Sequence, residues 1–208
     1  MNIEGGKGAL FDLTKRQLVS FFPLSGKDLE VLESRFDKVL EDVGYCFSLI
    51  ENKYYKRGEE VYFDPMHTSQ YGIYLYFYSK AVFEDEDMSR VSSALYILNK
   101  IINSVDLYYE INLPRHFFMD HPVGSVMGRA IYGEGFSFSQ CCTVGNNKGF
   151  YPVIGENVRM MSGSSIIGRC NIGKNVIVSK GVTIKDSEIP DSVIVFEDRK
   201  KLFFKDLI

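Results

Sequence analysis

The chain has 208 residues and three histidines, at positions 67, 116 and 121. His121 stands in the run Phe118-Met-Asp-His-Pro-Val-Gly124, directly after a carboxylate, Asp120, and three residues before a glycine. A hydroxyl is far too weak an acid to ionise unaided at neutral pH. An imidazole near its ordinary pKa can take the proton during attack. A carboxylate on the far ring nitrogen fixes the tautomer and steadies the imidazolium. Asp106 is the candidate for that carboxylate. An isolated histidine is more often a hydrogen-bonded residue at a strand end, and His67 and His116 are read that way. Cys141 would need a paired base to carry an acyl group, and the sequence places none beside it. Cys46, Cys141, Cys142 and Cys170 form no CxxC and no metal-ligand spacing, so they read as packed or surface thiols and no metal site is expected.

The elements that must position these groups fall into two halves with different periods. From Ile154 the chain divides into six hexads, whose first residues are Ile154, Met160, Ile166, Ile172, Val178 and Ile184. The fifth residues, Val158, Ser164, Cys170, Val176 and Val182, are small or short, with Glu188 as the exception. A six-residue period of this kind predicts a parallel β-helix in which each rung turns one large and one short residue inward. Cys142 holds the fifth position of the preceding hexad, Phe138 to Thr143, and is expected in the core with Cys170. Stacked coils share one core and need covers at their ends. Asp191 to Ile208, with Phe203, Phe204 and Leu207, is expected to supply one of them.

Before residue 107 the apolar spacing is helical. Leu29, Leu32, Phe36, Val39, Leu40 and Val43 make one stripe, started by Ser25 or Asp28 and ended by Gly44. Val91, Ala94, Leu95, Leu98, Ile101, Ile102 and Val105 make another, with Asp87 at its cap. The aromatic run from His67 to Phe83 reads as a buried helix between them, and Glu84-Asp85-Glu86-Asp87 as a solvated turn. The fold class is therefore α+β, with a helical domain at 1–107, a β-helix at 108–194 carrying a loop at 146–152, and a tail at 195–208.

These motifs together resemble hexapeptide-repeat acetyltransferases of the serine acetyltransferase type. Asn99-Lys-Ile-Ile-Asn-Ser-Val-Asp106 is similar to that family's segment entering the β-helix, and Phe118 to Gly124 to its Leu-Asp-His-Ala-Thr-Gly element. Asp106 precedes His121 by the fifteen residues that separate the family's catalytic Asp–His pair. The resemblance implies a left-handed β-helix, acetyl-CoA as co-substrate, His121 and Asp106 as the catalytic pair, and Asp120 and Asp64 (in Asp64-Pro65) facing the acceptor. It also implies a homotrimer, because the family's coenzyme sites lie between adjacent β-helices. Gly163, Ser164, Ser179, Lys180, Gly181 and Lys185, small or polar residues on outward turns, are the candidates for the coenzyme.

The chain departs from the family in its loop. Where serine acetyltransferases carry Asp-Arg-His-Pro, whose Arg and His hold the carboxylate of serine, this sequence reads Asn146-Asn-Lys-Gly-Phe-Tyr-Pro152. Lys148 and Tyr151 are the substrate-binding candidates there, although a lysine is a point charge and lacks the arginine fork. The layout resembles the branch that acetylates surface polysaccharides. The expected acceptor is accordingly a sugar or nucleotide sugar, with L-serine O-acetylation as one alternative and a non-catalytic β-helix scaffold as another.

Composition excludes other classes. A net charge of −3 with no basic stripe argues against nucleic-acid binding. No stretch approaches the ~20 apolar residues of a membrane span. The amino terminus has no apolar run resembling a signal peptide, and the expected location is the cytoplasm.

Overall fold

The structure is a computed structural model that describes residues 1–83, 89–199 and 201–207. It divides into two compact units, Met1–Asn103 and a second that begins at Ser104. The acidic run at 84–87 and the cap expected at Asp87 lie outside the described residues.

The first unit holds four helices among its described residues: α1 (Gly6–Phe21), α2 (Gly26–Ser48), α3 (Thr68–Phe83) and α4 (Ser89–Asn103). Ser25 starts α2 with a capping box: its hydroxyl accepts from the Asp28 N–H at 3.3 Å, and the Asp28 carboxylate accepts from the Ser25 N–H at 2.6 Å. Gly44 does not end this helix. Cys46 and Phe47 extend the buried stripe past it, and Phe47 packs edge-on against Tyr55 and Phe63 at 4.8 and 5.5 Å. That burial outweighs the roughly 1 kcal/mol a helical glycine costs. α3 is buried on all sides from Ser69 to Ser79, as a helix apolar around its whole circumference must be. α1 escapes the sequence reading because it buries only Leu10, Thr14 and Leu18, a stripe one residue wide.

The second unit is a left-handed parallel β-helix of about five turns, a prism with three sheet faces. Face one stacks Asp106–Leu107, Val126–Met127, Thr143–Gly145, Ser165–Ile167 and Thr183–Lys185. Face two stacks Ile131–Tyr132, Val153–Ile154, Asn171–Ile172 and Glu188–Ile189. Face three stacks Phe117–Met119, Phe136–Phe138, Arg159–Met160, Ile177–Val178 and Val193–Asp198. Ser165 pairs with Thr183, eighteen residues on, so three hexads make one coil. The loop at 146–152 lengthens its own coil, in which Thr143 pairs with Ser165.

Every hexad's first residue is buried, and so are Cys142, Val158, Ser164, Cys170, Val176 and Val182. Adjacent coils meet closely enough at one edge to exclude a Cβ. A side-chain carbon on Gly155 would lie 2.7 Å from the Gly173 carbonyl oxygen, and one on Gly133 2.5 Å from that of Gly155.

Both ends differ from the boundaries expected. Asp106–Leu107 already pairs in parallel with Val126–Met127, so the solenoid begins before residue 108. Val193–Asp198 pairs with Ile177–Val178, so it is a solenoid strand and the tail proper begins later. Lys201–Asp206 then turns back antiparallel along Val193–Asp198. The cover is thus made by edge pairing, while Phe203, Phe204 and Leu207 stay partly exposed.

Candidate functional site

The edge where face three turns into face one carries His121. Phe117 and Met119 are buried in the core and hold the strand that delivers Asp120 and His121 to the corner. The turn is fixed by its backbone. Asp120 N–H donates to the Phe138 carbonyl at 2.9 Å, Val123 N–H to that of His121 at 2.8 Å, and Gly124 N–H to that of Ser104 at 2.8 Å. His121 itself adopts φ 47°, in the left-handed region that an ordinary side chain enters at a cost of about 1–2 kcal/mol. That conformation leaves the imidazole 86% exposed. The same left-handed conformation recurs at other corners, among them Ser104, Asn157 and Asn175, so it is the corner geometry of the coil that turns the ring outward.

The carboxylate within ion-pair distance of His121 is Asp120, with Nε2 to Oδ1 at 3.8 Å. Asp106 lies on the neighbouring coil, where its N–H donates to the Ser125 carbonyl at 2.9 Å. The structure thus places Asp120 within 3.8 Å of the imidazole and Asp106 on the coil stacked beside the turn.

The same edge continues through stacked corners. Cys141 N–H donates to the Val123 carbonyl at 2.9 Å, Gly163 N–H to that of Gln140 at 2.9 Å, and Gly181 N–H to that of Ser162 at 3.0 Å. Cys141, Gly163 and Gly181 share the left-handed conformation, which leaves a track with little side-chain bulk. It ends in an open groove lined by Ser179, Lys180, Gly181, Val182, Phe196, Glu197, Asp198 and Arg199. Phe196 and Arg199 were not anticipated, because the turn of the C-terminal hairpin back along the groove follows no hexad.

Two of the six coenzyme candidates do not line this track. Ser164 is completely buried, since it fills a fifth position of the hexad pattern and its hydroxyl meets the Cys142 sulfur at 3.7 Å. Lys185 ends a strand of face one and so falls at the next edge. Gly163, Ser179, Lys180 and Gly181 remain on the histidine's edge.

The loop at 146–152 lies on that next edge, between faces one and two. Asn147 and Phe150 exchange N–H···O=C bonds of 3.1 and 3.0 Å, with Lys148 at φ 51° and Gly149 at φ 82° between them. Two positive φ values in succession make this a tight type I′ turn. Lys148 projects from its tip. Tyr151 is partly exposed, with the Arg129 guanidinium 5.7 Å from its ring centre.

Asp64 belongs to the helical unit. Its carboxylate accepts the Met66 N–H at 2.8 Å, and its own N–H donates to Gln70 Oε1 at 2.7 Å. It shapes the turn entering α3, the role of an Asp-Pro opener. His67 accepts the Gln70 N–H at 3.4 Å beside it. Burial holds His116 below the ordinary histidine range against the pull of Glu134, consistent with a structural histidine. Among the described residues no cluster of three metal-ligating side chains occurs, and no helix is long and apolar enough to cross a membrane.

A helical unit followed by a left-handed parallel β-helix, with an exposed histidine on one edge of the prism, defines the structural class. No protein-family model matches the chain. A putative serine acetyltransferase of Schizosaccharomyces pombe is 27% identical over 107 residues, which is 48% of this chain and 40% of that protein. The chain thus spans about 40% of the length of the curated relatives it matches. Among solved structures, serine acetyltransferase of Neisseria gonorrhoeae in complex with serine superposes with a TM-score of 0.68 at 20% identity, over 84% of this chain and 74% of that one. A serine acetyltransferase in complex with CoA gives a TM-score of 0.68 at 15% identity, over 85% of this chain and 75% of that one. At such identities the likeness is one of fold.

Proposed function

We propose that this chain is an acetyl-CoA-dependent acetyltransferase of the serine acetyltransferase type, with His121 as the general base. The observation that carries the reading is the turn itself, which holds His121 at a positive φ with its ring in solvent at the head of a narrow track. The track suits an extended chain such as pantetheine, running past Cys141 and Gly163 to the groove at Lys180. Acetyl-CoA supplies the activated acyl group. His121 takes the acceptor's hydroxyl proton as its oxygen attacks the thioester carbon. The new O–C bond forms, the C–S bond breaks, and the proton passes on to the departing thiolate. Asp120 or Asp106 steadies the imidazolium.

The relatives and the solved structures are serine acetyltransferases, and this favours an L-serine-like acceptor over the sugar that the altered loop suggested from sequence. The surface-polysaccharide assignment gains no support from them. The geometry also bears on assembly. His121 and the loop residues Lys148 and Tyr151 occupy different edges of one prism, so a site using both takes one edge from each of two copies. A closed ring of three copies meets that need on every protomer.

The test is release of free thiol from acetyl-CoA with L-serine, free sugars and nucleotide sugars in separate reactions. Turnover with L-serine supports the reading, turnover only with a sugar moves it to the polysaccharide branch, and no turnover with any acceptor removes it.

A further inference from the structure

We propose that Arg169, set over the face of Phe150, binds an anionic group of the acceptor, a carboxylate or a phosphate, and so sets which hydroxyl compound is used. This rests on the acetyltransferase reading for its consequence but not for its geometry. The Arg169 guanidinium carbon lies 3.7 Å from the centre of the Phe150 ring. A guanidinium over an aromatic face is held there by cation–π attraction, which occupies none of its five N–H donors. Among the described residues no carboxylate lies within ion-pair distance of it. Arg129, two coils before Arg169, makes the contrast. It faces Tyr151 in a similar way, but Glu110 sits 3.6 Å from its guanidinium and answers the charge.

The carboxylate that meets the Arg169 backbone is committed to other bonds. Asp186 accepts the Arg169 backbone N–H at 2.8 Å with one oxygen and the Asn147 side-chain amide at 2.6 Å with the other. Those bonds and the charges of Lys185 and Lys148 hold its carboxyl below the ordinary range. Asp186 thus ties the base of the loop to the coil bearing Arg169 and leaves the guanidinium's donors unspent. A planar fork with free donors on an aromatic support is the arrangement that takes a carboxylate or phosphate by paired bonds. The sequence has Phe150 where the resembled family has its arginine. Arg169, from one coil further along the chain, lies over that phenylalanine.

The experiment uses the full chain and two matched pairs of probes: L-serine with serinamide, and glucose 1-phosphate with glucose. Binding is measured by calorimetry and turnover by thiol release, for wild type, Arg169→Ala and Arg169→Lys. At least one anionic probe should bind and its neutral partner should bind at least ten-fold more weakly, which also separates carboxylate from phosphate. Arg169→Ala should raise Kd and KM for that probe roughly 10- to 100-fold, the range for a lost charge-assisted bond, with a smaller change in kcat. Arg169→Lys should recover only part, since it restores charge without the fork. Equal binding of charged and neutral partners, failure of both anions to bind wild type, or an Arg169→Ala effect within two-fold would each overturn the proposal. Anion binding that depends on Arg169 without thiol release in any reaction would leave this site standing and remove the acetyltransferase reading.

Discussion

Replacing His121 by Asn separates catalysis from folding at a single position. Asn tolerates the left-handed region better than most residues, so φ 47° at this turn is kept. The imidazole is 86% exposed and its ionic partner, Asp120, lies 3.8 Å away with a side chain 55% exposed. An exposed pair at that distance contributes about 0–1 kcal/mol at most. The expected loss of stability is therefore under about 1 kcal/mol, within the range of ordinary surface substitutions. Losing a positioned base costs roughly 10²–10⁴ in rate, about 3–5 kcal/mol of transition-state stabilisation. Acetyl-CoA binding should change little, because the ring acts on the acceptor's proton. The assay is steady-state thiol release beside direct titration of acetyl-CoA and denaturant unfolding. A folded His121→Asn protein within a few-fold of wild-type kcat refutes the assignment. So does a stability loss above about 2 kcal/mol, which would make His121 a residue that holds the turn together.

Direct attack without an acetyl-enzyme predicts that Cys141→Ala keeps most activity, and mass detection of an acetylated Cys141 during turnover would overturn it. Ile166 is fully buried in face one, in register with Val144 and Ile184. Ile166→Ala should accordingly cost about 2–5 kcal/mol in urea unfolding, and a loss below 1 kcal/mol would mean that the coils carry no shared core. The folded-state pKa of Asp186 is lowered, so its contribution is present above the ordinary carboxylate range and lost as pH falls through the folded value. Asp186→Asn should flatten the acid limb of a stability–pH profile, and an unchanged limb counts against the tie to Asn147 and Arg169. A ring of three copies predicts a solution mass near three times 23.8 kDa, and a fully active monomer would exclude a site shared between copies.

The coil interior was legible because it is local. One large and one short residue per six, repeated without interruption, is a demand that each rung makes on its own few residues, and Ile154 to Ile184 met it. His121 was legible for a related reason, since its turn is a contiguous run. The edges were not legible, because an edge is built from residues a full coil apart. Ser164 answered to two rules, one placing short residues inside and one placing polar residues on outward turns. Burial decided for the first, because Ser164, like Val158, Cys170, Val176 and Val182, turns its side chain into the core. Arg169 stands nineteen residues beyond Phe150, in a hexad that reads only as a repeat unit. Its meaning comes from the coil length, which sets the segment after face one of the next coil beside the loop. Anyone counting eighteen residues forward from each loop position would have reached Arg169 from Tyr151 and found it one place from the aromatic it covers. Sequence comparison along the chain finds a lost arginine at the loop. Counting by coils brings Arg169 beside that loop, and under the proposal above an acceptor with an anionic group is compatible with a loop that lacks the expected Arg-His pair.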